Sequence, residues 1–216
     1  MTSTKRVALL FDPDNPWLSR YFDSYKSDDT SFEIIHAFDQ RDAMGMDIVF
    51  ILGYTKILSS KFLISNHFNF VIHESNLPEG RGFSPVQWQV LEGKDEIPVR
   101  LIEASEIVDA GDIILEDSIR LNGLELYPEI RAKQAAVSMA LITRLLKIFP
   151  NFDRKKQIGA ETHYRKRTHA DGELNIERSI RAVFNQLRIG NNDQWPSFFY
   201  YGGKKYILKI YSDHSE

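Results

Sequence analysis

The chain has 216 residues, 43% of them hydrophobic, a formal net charge of −3 and no cysteine. That is material for one core of ordinary domain size with a short appended segment, and the missing thiols exclude disulfides, thiolate zinc sites and cysteine nucleophiles. The mild acidity argues against a partner held through its phosphate backbone, so nucleic acid is not an expected partner.

In chain order, Met1-Thr2-Ser3-Thr4-Lys5-Arg6 is polar, and the apolar run behind it, residues 7–11, is too short for a leader's hydrophobic region or a membrane span. No membrane is expected, and the cytoplasm is the expected location. Short apolar runs at 6–11, 32–38, 47–52 and 68–73, rich in β-branched and aromatic residues, predict strands. Helices are predicted between them over 17–25 and 56–65. This alternation predicts an α/β fold, a mainly parallel sheet flanked by helices. Sites in such sheets lie at the carboxyl ends of strands, which is where His73 falls.

A further helix is predicted over 85–92, with Ser84 as its cap and Pro85 at its first position. Strand-like runs at 99–103 and 112–121 leave Asp109 on a loop, and spaced apolar residues over 126–149 predict one long amphipathic helix. Residues 151–157 read as a surface linker, 164–172 as a basic polar segment, 176–187 as a helix, and 198–211, with Gly202-Gly203 inside, as a hairpin. Residues 1–150 are thus expected to form the catalytic domain, and 151–216 a C-terminal helix and hairpin extension packed on it.

A histidine can take and return a proton near neutral pH when a neighbour orients its ring. Asp109 is the candidate orienter for His73, since a carboxylate beside an imidazole steadies the charged ring next to a developing oxyanion. Such a pair suits attack of an amine on an acyl carbon and needs no metal. Pro78, Gly80 and Gly82 lie between them and give the backbone sharp bends and close approach to a ligand. Arg81 in that loop is a candidate for facing an anion. On spacing alone a strand-end histidine is more often structural, and Asp-Ala-Gly is an ordinary turn signal. The residues by themselves carry the reading as far as an α/β enzyme with a His/Asp site.

The pattern His73-x-Ser75-x-Leu77-Pro78-x-x-Arg81-Gly82-x-x-Pro85, followed by Trp88 and by Asp109-x-Gly111, resembles the formyltransferases that use N10-formyltetrahydrofolate, over about residues 5–150. The resemblance implies a Rossmann-like sheet, His73 as acid/base, Asp109 as its assistant, and formyl passing from the folate to a primary amine through a tetrahedral intermediate. It implies folate contacts at Gly53, Tyr54, Thr55, Lys56, Ile57 and Leu58, and at Leu101, Ile102, Glu103 and Ala104. One position departs from the pattern: the asparagine usual two residues before the histidine is Val71 here, and valine cannot donate a hydrogen bond to an oxyanion. Asn76 is the candidate replacement in the catalytic set, with Asn69 as a second. A hydrolysing branch of the family tolerates an aliphatic residue there.

The segment Tyr164-Arg165-Lys166-Arg167-Thr168-His169-Ala170-Asp171-Gly172-Glu173-Leu174-Asn175, with Trp195-Pro196-Ser197-Phe198-Phe199 further on, resembles the tail of sugar N-formyltransferases. A tRNA-formylating relative would be expected to carry a further C-terminal domain and a basic surface. The resemblance therefore implies an amino-sugar substrate, nucleotide-linked and used for a glycan, with Arg81, Trp88, Arg167 and Arg188 as candidate substrate contacts and His73 accepting or relaying the amine's proton. Hydrolysis of 10-formyltetrahydrofolate, or a weakly catalytic folate- or sugar-binding homologue, are the alternatives. A homodimer is a further expectation, with no interface legible in the sequence.

Overall fold

The first and third apolar runs are buried on both sides, whereas the second lies at the sheet edge. In the computed structural model, which describes residues 4–213, β1 (Lys5–Phe11), β2 (Phe32–Ala37), β3 (Ile48–Leu52) and β4 (Phe68–His73) lie parallel in the order β2-β1-β3-β4. The first three residues of the polar N-terminus and the last three of the C-terminal extension lie outside the described residues. Parallel strands covered on both faces need apolar residues throughout, and every residue of β3 is buried. Between β4 and the rest of the sheet come the two-residue β5 (Arg81–Gly82) and α3 (Pro85–Leu91). Then β6 (Glu96–Glu103) pairs antiparallel with β4, and β7 (Ile113–Arg120) antiparallel with β6. The result is a mixed six-stranded sheet, parallel in its first four strands.

Alternation along β1 divides the core in two, as a period of two requires. Val7, Leu9 and Phe11 face α1 (Pro16–Phe22) and the long α4 (Tyr127–Ile148), joining Phe22, Ile130, Leu141 and Leu145 in the larger cluster. Ala8 and Leu10 face the other way, with Val49, Ile51 and Phe62 of α2 (Ser60–Ser65).

The helices are shorter than the apolar patterns predict, because caps end them. The Ser59 side chain accepts from Phe62 N–H at 3.2 Å, so α2 starts at Ser60 and residues before it stay in a loop. In the same way the side chain of Ser179 accepts from Ala182 N–H and starts α5 (Ile180–Arg188), four residues later than expected. Ser84 does not cap α3: it adopts a left-handed conformation, φ 53°, and its side chain makes no cap hydrogen bond.

Residues 151–157 are not a loose linker. Lys155 exchanges both backbone hydrogen bonds with Ile113, at 2.8 and 2.9 Å, which ties the chain to the edge of β7. Beyond it β8 (His163–Tyr164) pairs in parallel with β5, and β9 (Ser197–Tyr201) and β10 (Lys204–Leu208) form the expected hairpin. Among the described residues no helix is long and apolar enough to cross a membrane.

Candidate active site

The end of β4 brings His73 to the carboxyl edge of the sheet, where it meets the loop carrying Asp109. His73 Nε2 lies 2.8 Å from Gly80 O. A carbonyl only accepts, so Nε2 donates and Nδ1 is the nitrogen left open to a proton. Nδ1 faces Asp109 Oδ2 at 3.6 Å, with the two side chains only 7% and 9% exposed. The same Oδ2 accepts Gly82 N–H at 2.9 Å. One carboxylate oxygen thus joins the histidine to the glycine loop.

The loop is braced from the tail. Gln157 Nε2 donates to the carbonyls of Asp109 and Gly111 at 2.8 and 2.9 Å, and Thr162 Oγ1 accepts Gly80 N–H at 2.8 Å. Gly111 passes so close to β6 that a Cβ there would sit 1.6 Å from Glu103 O. Only glycine fits at that approach.

Beside the pair opens a cavity of about 310 Å³. Of the expected folate contacts, Gly53, Tyr54, Thr55, Lys56, Ile57, Leu58, Ile102, Glu103 and Ala104 line it, whereas Leu101 is buried in the core. Ile51 and Val71 add apolar wall, and the Tyr54 hydroxyl is buried without a hydrogen-bond partner among the described residues. A planar ring system with polar edges suits such a slot, since it would cover the apolar wall and offer the orphaned hydroxyl a partner.

A second cavity of about 420 Å³ continues from the first. Asn15, Thr55, Ser84, Gln87, Arg131 and Lys166 line both. Its outer wall comes from the tail: Arg167, Thr168, His169, Trp195 and Pro196. The His169 and Trp195 rings stack with centroids 3.8 Å apart. Burial lowers the Arg167 pKa, and its Nε is buried without a hydrogen-bond partner among the described residues. A half-desolvated guanidinium in a cavity wall is suited to an anionic ligand.

Several expected site residues stand elsewhere. Asn76 is exposed and its Oδ1 accepts from Arg100 Nη2 at 2.7 Å, away from both cavities. Asn69 is buried and tied to the α2 side, donating to Leu63 O and accepting from Asn66. Neither replaces the asparagine that Val71 displaces. The Arg81 guanidinium turns to Glu161 and Gln157, so it braces the loop and lines neither cavity. Trp88 stacks on Tyr164 and donates its indole N–H to Arg165 O at 2.8 Å, which secures the tail. Arg188 is 1% exposed and lies 3.6 Å from the Glu125 carboxylate, an internal ion pair.

Three cavity residues escaped sequence reasoning. Arg131 of α4 lies over the rings of Trp17 and Tyr127, at 4.8 and 5.0 Å, and donates to Gln134 Oε1 at 2.5 Å. Gln134 Nε2 in turn donates to Glu74 Oε1 at 2.6 Å. The signal was Gln134 itself, a polar side chain on the buried stripe with Ile130, Ser138 and Leu141. A buried amide on an apolar stripe needs partners and so marks a polar neighbourhood.

The fold and this site define an acyl-transfer architecture on a Rossmann-like sheet. A formyl transferase family model matches residues 16–143, more than half of the chain, and the chain belongs to that family of enzymes. Methionyl-tRNA formyltransferase of Sulfurihydrogenibium sp. (strain YO3AOP1) is 28% identical over 159 residues, covering 71% of this chain and 50% of that protein. The chain spans about half the length of the curated relatives it matches. Three solved structures share the fold. Methionyl-tRNA formyltransferase from Clostridium thermocellum superposes with a TM-score of 0.79 at 15% identity, covering 98% of this chain and 95% of that one. A sugar N-formyltransferase from Shewanella sp FDAARGOS_354 gives 0.71 at 13%, covering 99% and 100%. HypX from Aquifex aeolicus in complex with tetrahydrofolic acid gives 0.73 at 15%, covering 96% and 38%.

Proposed function

We propose that the chain transfers a formyl group from N10-formyltetrahydrofolate to the primary amine of a nucleotide-linked amino sugar, with His73 and Asp109 as its catalytic pair. The observation that carries this reading is the joining of two unlike cavities beside one His/Asp pair. The first, apolar with Tyr54 and the 53–58 loop on its wall, suits the pterin and keeps the formyl carbon near His73. The second, with Lys166, Arg167 and the Trp195 face, suits phosphates and a base. Support for folate comes from the neighbour solved with tetrahydrofolic acid, and support for a sugar from the neighbour named for that substrate.

In this reading the acceptor amine adds to the formyl carbon and the tetrahedral adduct collapses with loss of the folate nitrogen. His73, with Nδ1 facing Asp109 at 3.6 Å, takes up and returns the proton that moves between the two nitrogens. Residues 151–216 act as an extension of the catalytic unit that completes the acceptor side.

Val71 on the cavity wall favours one second reading, hydrolysis of the formyl folate. The test is incubation with N10-formyltetrahydrofolate and a panel of nucleotide-linked amino sugars, read by mass spectrometry. A sugar gaining one formyl group supports transfer. Formyl loss that ignores the added amine supports hydrolysis, and binding without turnover refutes both.

A further inference from the structure

Two protons must leave the acceptor nitrogen during transfer, because an ammonium ends as an amide carrying one hydrogen. Primary amines are protonated in neutral water. His73 can serve one of these protons only, since Nε2 is committed to Gly80 O at 2.8 Å and Nδ1 alone is open. The other proton needs a separate acceptor, either water or a second side chain beside His73.

The next residue, Glu74, leaves the end of β4 toward α4 and lines the same cavity. Gln134 Nε2 donates to its Oε1 at 2.6 Å, and Gln89 Nε2 donates to its backbone carbonyl at 2.6 Å. The residue is therefore held in place at both ends. Arg131 lies one step along the same chain of bonds, yet it gives Nη1 to Gln134 Oε1 and its flat face to Trp17 and Tyr127. The Glu74 carboxylate thus borders the cavity with no ion-pair partner among the described residues. A fixed carboxylate without a counter-ion, in a partly desolvated pocket, is a receptor for a cation.

We propose that Glu74 receives the ammonium group of the acceptor and takes its first proton, an assignment that rests on the amine-acceptor reading above. The freed lone pair forms the new bond to the formyl carbon, and the bond from that carbon to N10 of the folate breaks. The second proton passes from the acceptor nitrogen through His73 to N10, while the one on Glu74 leaves to solvent. The products are the sugar formamide, tetrahydrofolate and one released proton.

The test uses Glu74→Gln, which keeps an oxygen for Gln134 and removes only the charge. Uridine- and thymidine-diphosphate sugars bearing an amine at C3 or C4 are each paired with their hydroxyl parents, and binding is measured by calorimetry with tetrahydrofolate present. Wild type should prefer the amine by roughly 10- to 100-fold, the range for a charged hydrogen bond. Glu74→Gln should erase that preference and leave affinity for the hydroxyl parents and for tetrahydrofolate unchanged. In turnover the loss should appear in kcat/KM for the acceptor and not in KM for the folate. Absence of an amine preference in wild type, or its survival in Glu74→Gln, overturns the assignment. Amine preference without formyl transfer would sink the transferase reading and the proton-accepting role of Glu74, leaving only its part in binding the ammonium.

Discussion

Asp109→Asn separates the charge of the proposed catalytic pair from its shape. The asparagine oxygen can still accept Gly82 N–H, a 2.9 Å bond in the native site, and Gln157 still holds the loop by the carbonyls of Asp109 and Gly111. The loop therefore keeps its path. What disappears is the attraction between the carboxylate and a protonated His73. For unit charges 3.6 Å apart, an effective dielectric constant of about 20 gives about 5 kcal/mol. That is an upper bound of roughly 10³·⁵-fold in rate, and water entering the cavity reduces it. We expect the single-turnover rate of formyl transfer to fall by roughly 10²- to 10³-fold, within the usual range for a positioned acid/base group. The assay is single-turnover loss of formyl from the folate at saturating acceptor, with thermal unfolding as the control for folding. A variant with a native melting midpoint and a rate within tenfold of wild type would refute the claim that the aspartate acts through its charge.

Three further expectations concern stability and pH. Gly111→Ala puts a Cβ 1.6 Å from Glu103 O, so overpacking should cost about 1–3 kcal/mol and lower Tm by several degrees; an unchanged midpoint would mean the strand yields. Arg188→Leu strands the buried Glu125, which keeps Lys133 at 2.6 Å, and should cost about 3 kcal/mol in urea unfolding, the low end for breaking an internal pair. A loss under about 1 kcal/mol would show that Lys133 suffices. The Arg165 hydrogen bond holds Asp171 well below the ordinary carboxylate value of 3.8. A depressed folded value favours the ionised fold, so this stability is present above about pH 4 and is lost as pH falls through the folded value. Asp171→Asn should thus melt below wild type at pH 7, with the gap closing in acid. Parallel melting curves from pH 7 to pH 2 would contradict it.

The sheet was legible because β1, β3 and β4 are short apolar runs, and the histidine was legible because strand ends of such sheets are where ligands sit. The nine pocket-lining residues of the 53–58 and 102–104 segments were reached only through resemblance, since Ile51 and Ile57 look alike on paper yet one is buried and the other 85% exposed. Arginines misled most. Arg81, Arg167 and Arg188 carry the same chemistry, but one braces a loop, one walls a cavity and one is sealed in the interior, a division set by tertiary partners far along the chain. Arg131 was missed because α4 reads as a packing helix, and nothing local says that its N-terminal turns overhang a cavity.

The tail from residue 155 to 196 is at once brace and wall. Lys155, Gln157, Thr162 and Tyr164 fix the loops that carry Gly80, Gly82 and Asp109, while Lys166 to His169 and Trp195 border the second cavity. On the proposed reading, a lineage therefore cannot trade this stretch wholesale for a new acceptor preference without disturbing the loops around His73 and Asp109. Grafts meant to retune the second cavity must begin after Tyr164, and a protein trimmed at residue 150 would lose the clamps on the loops that carry Gly80 and Asp109.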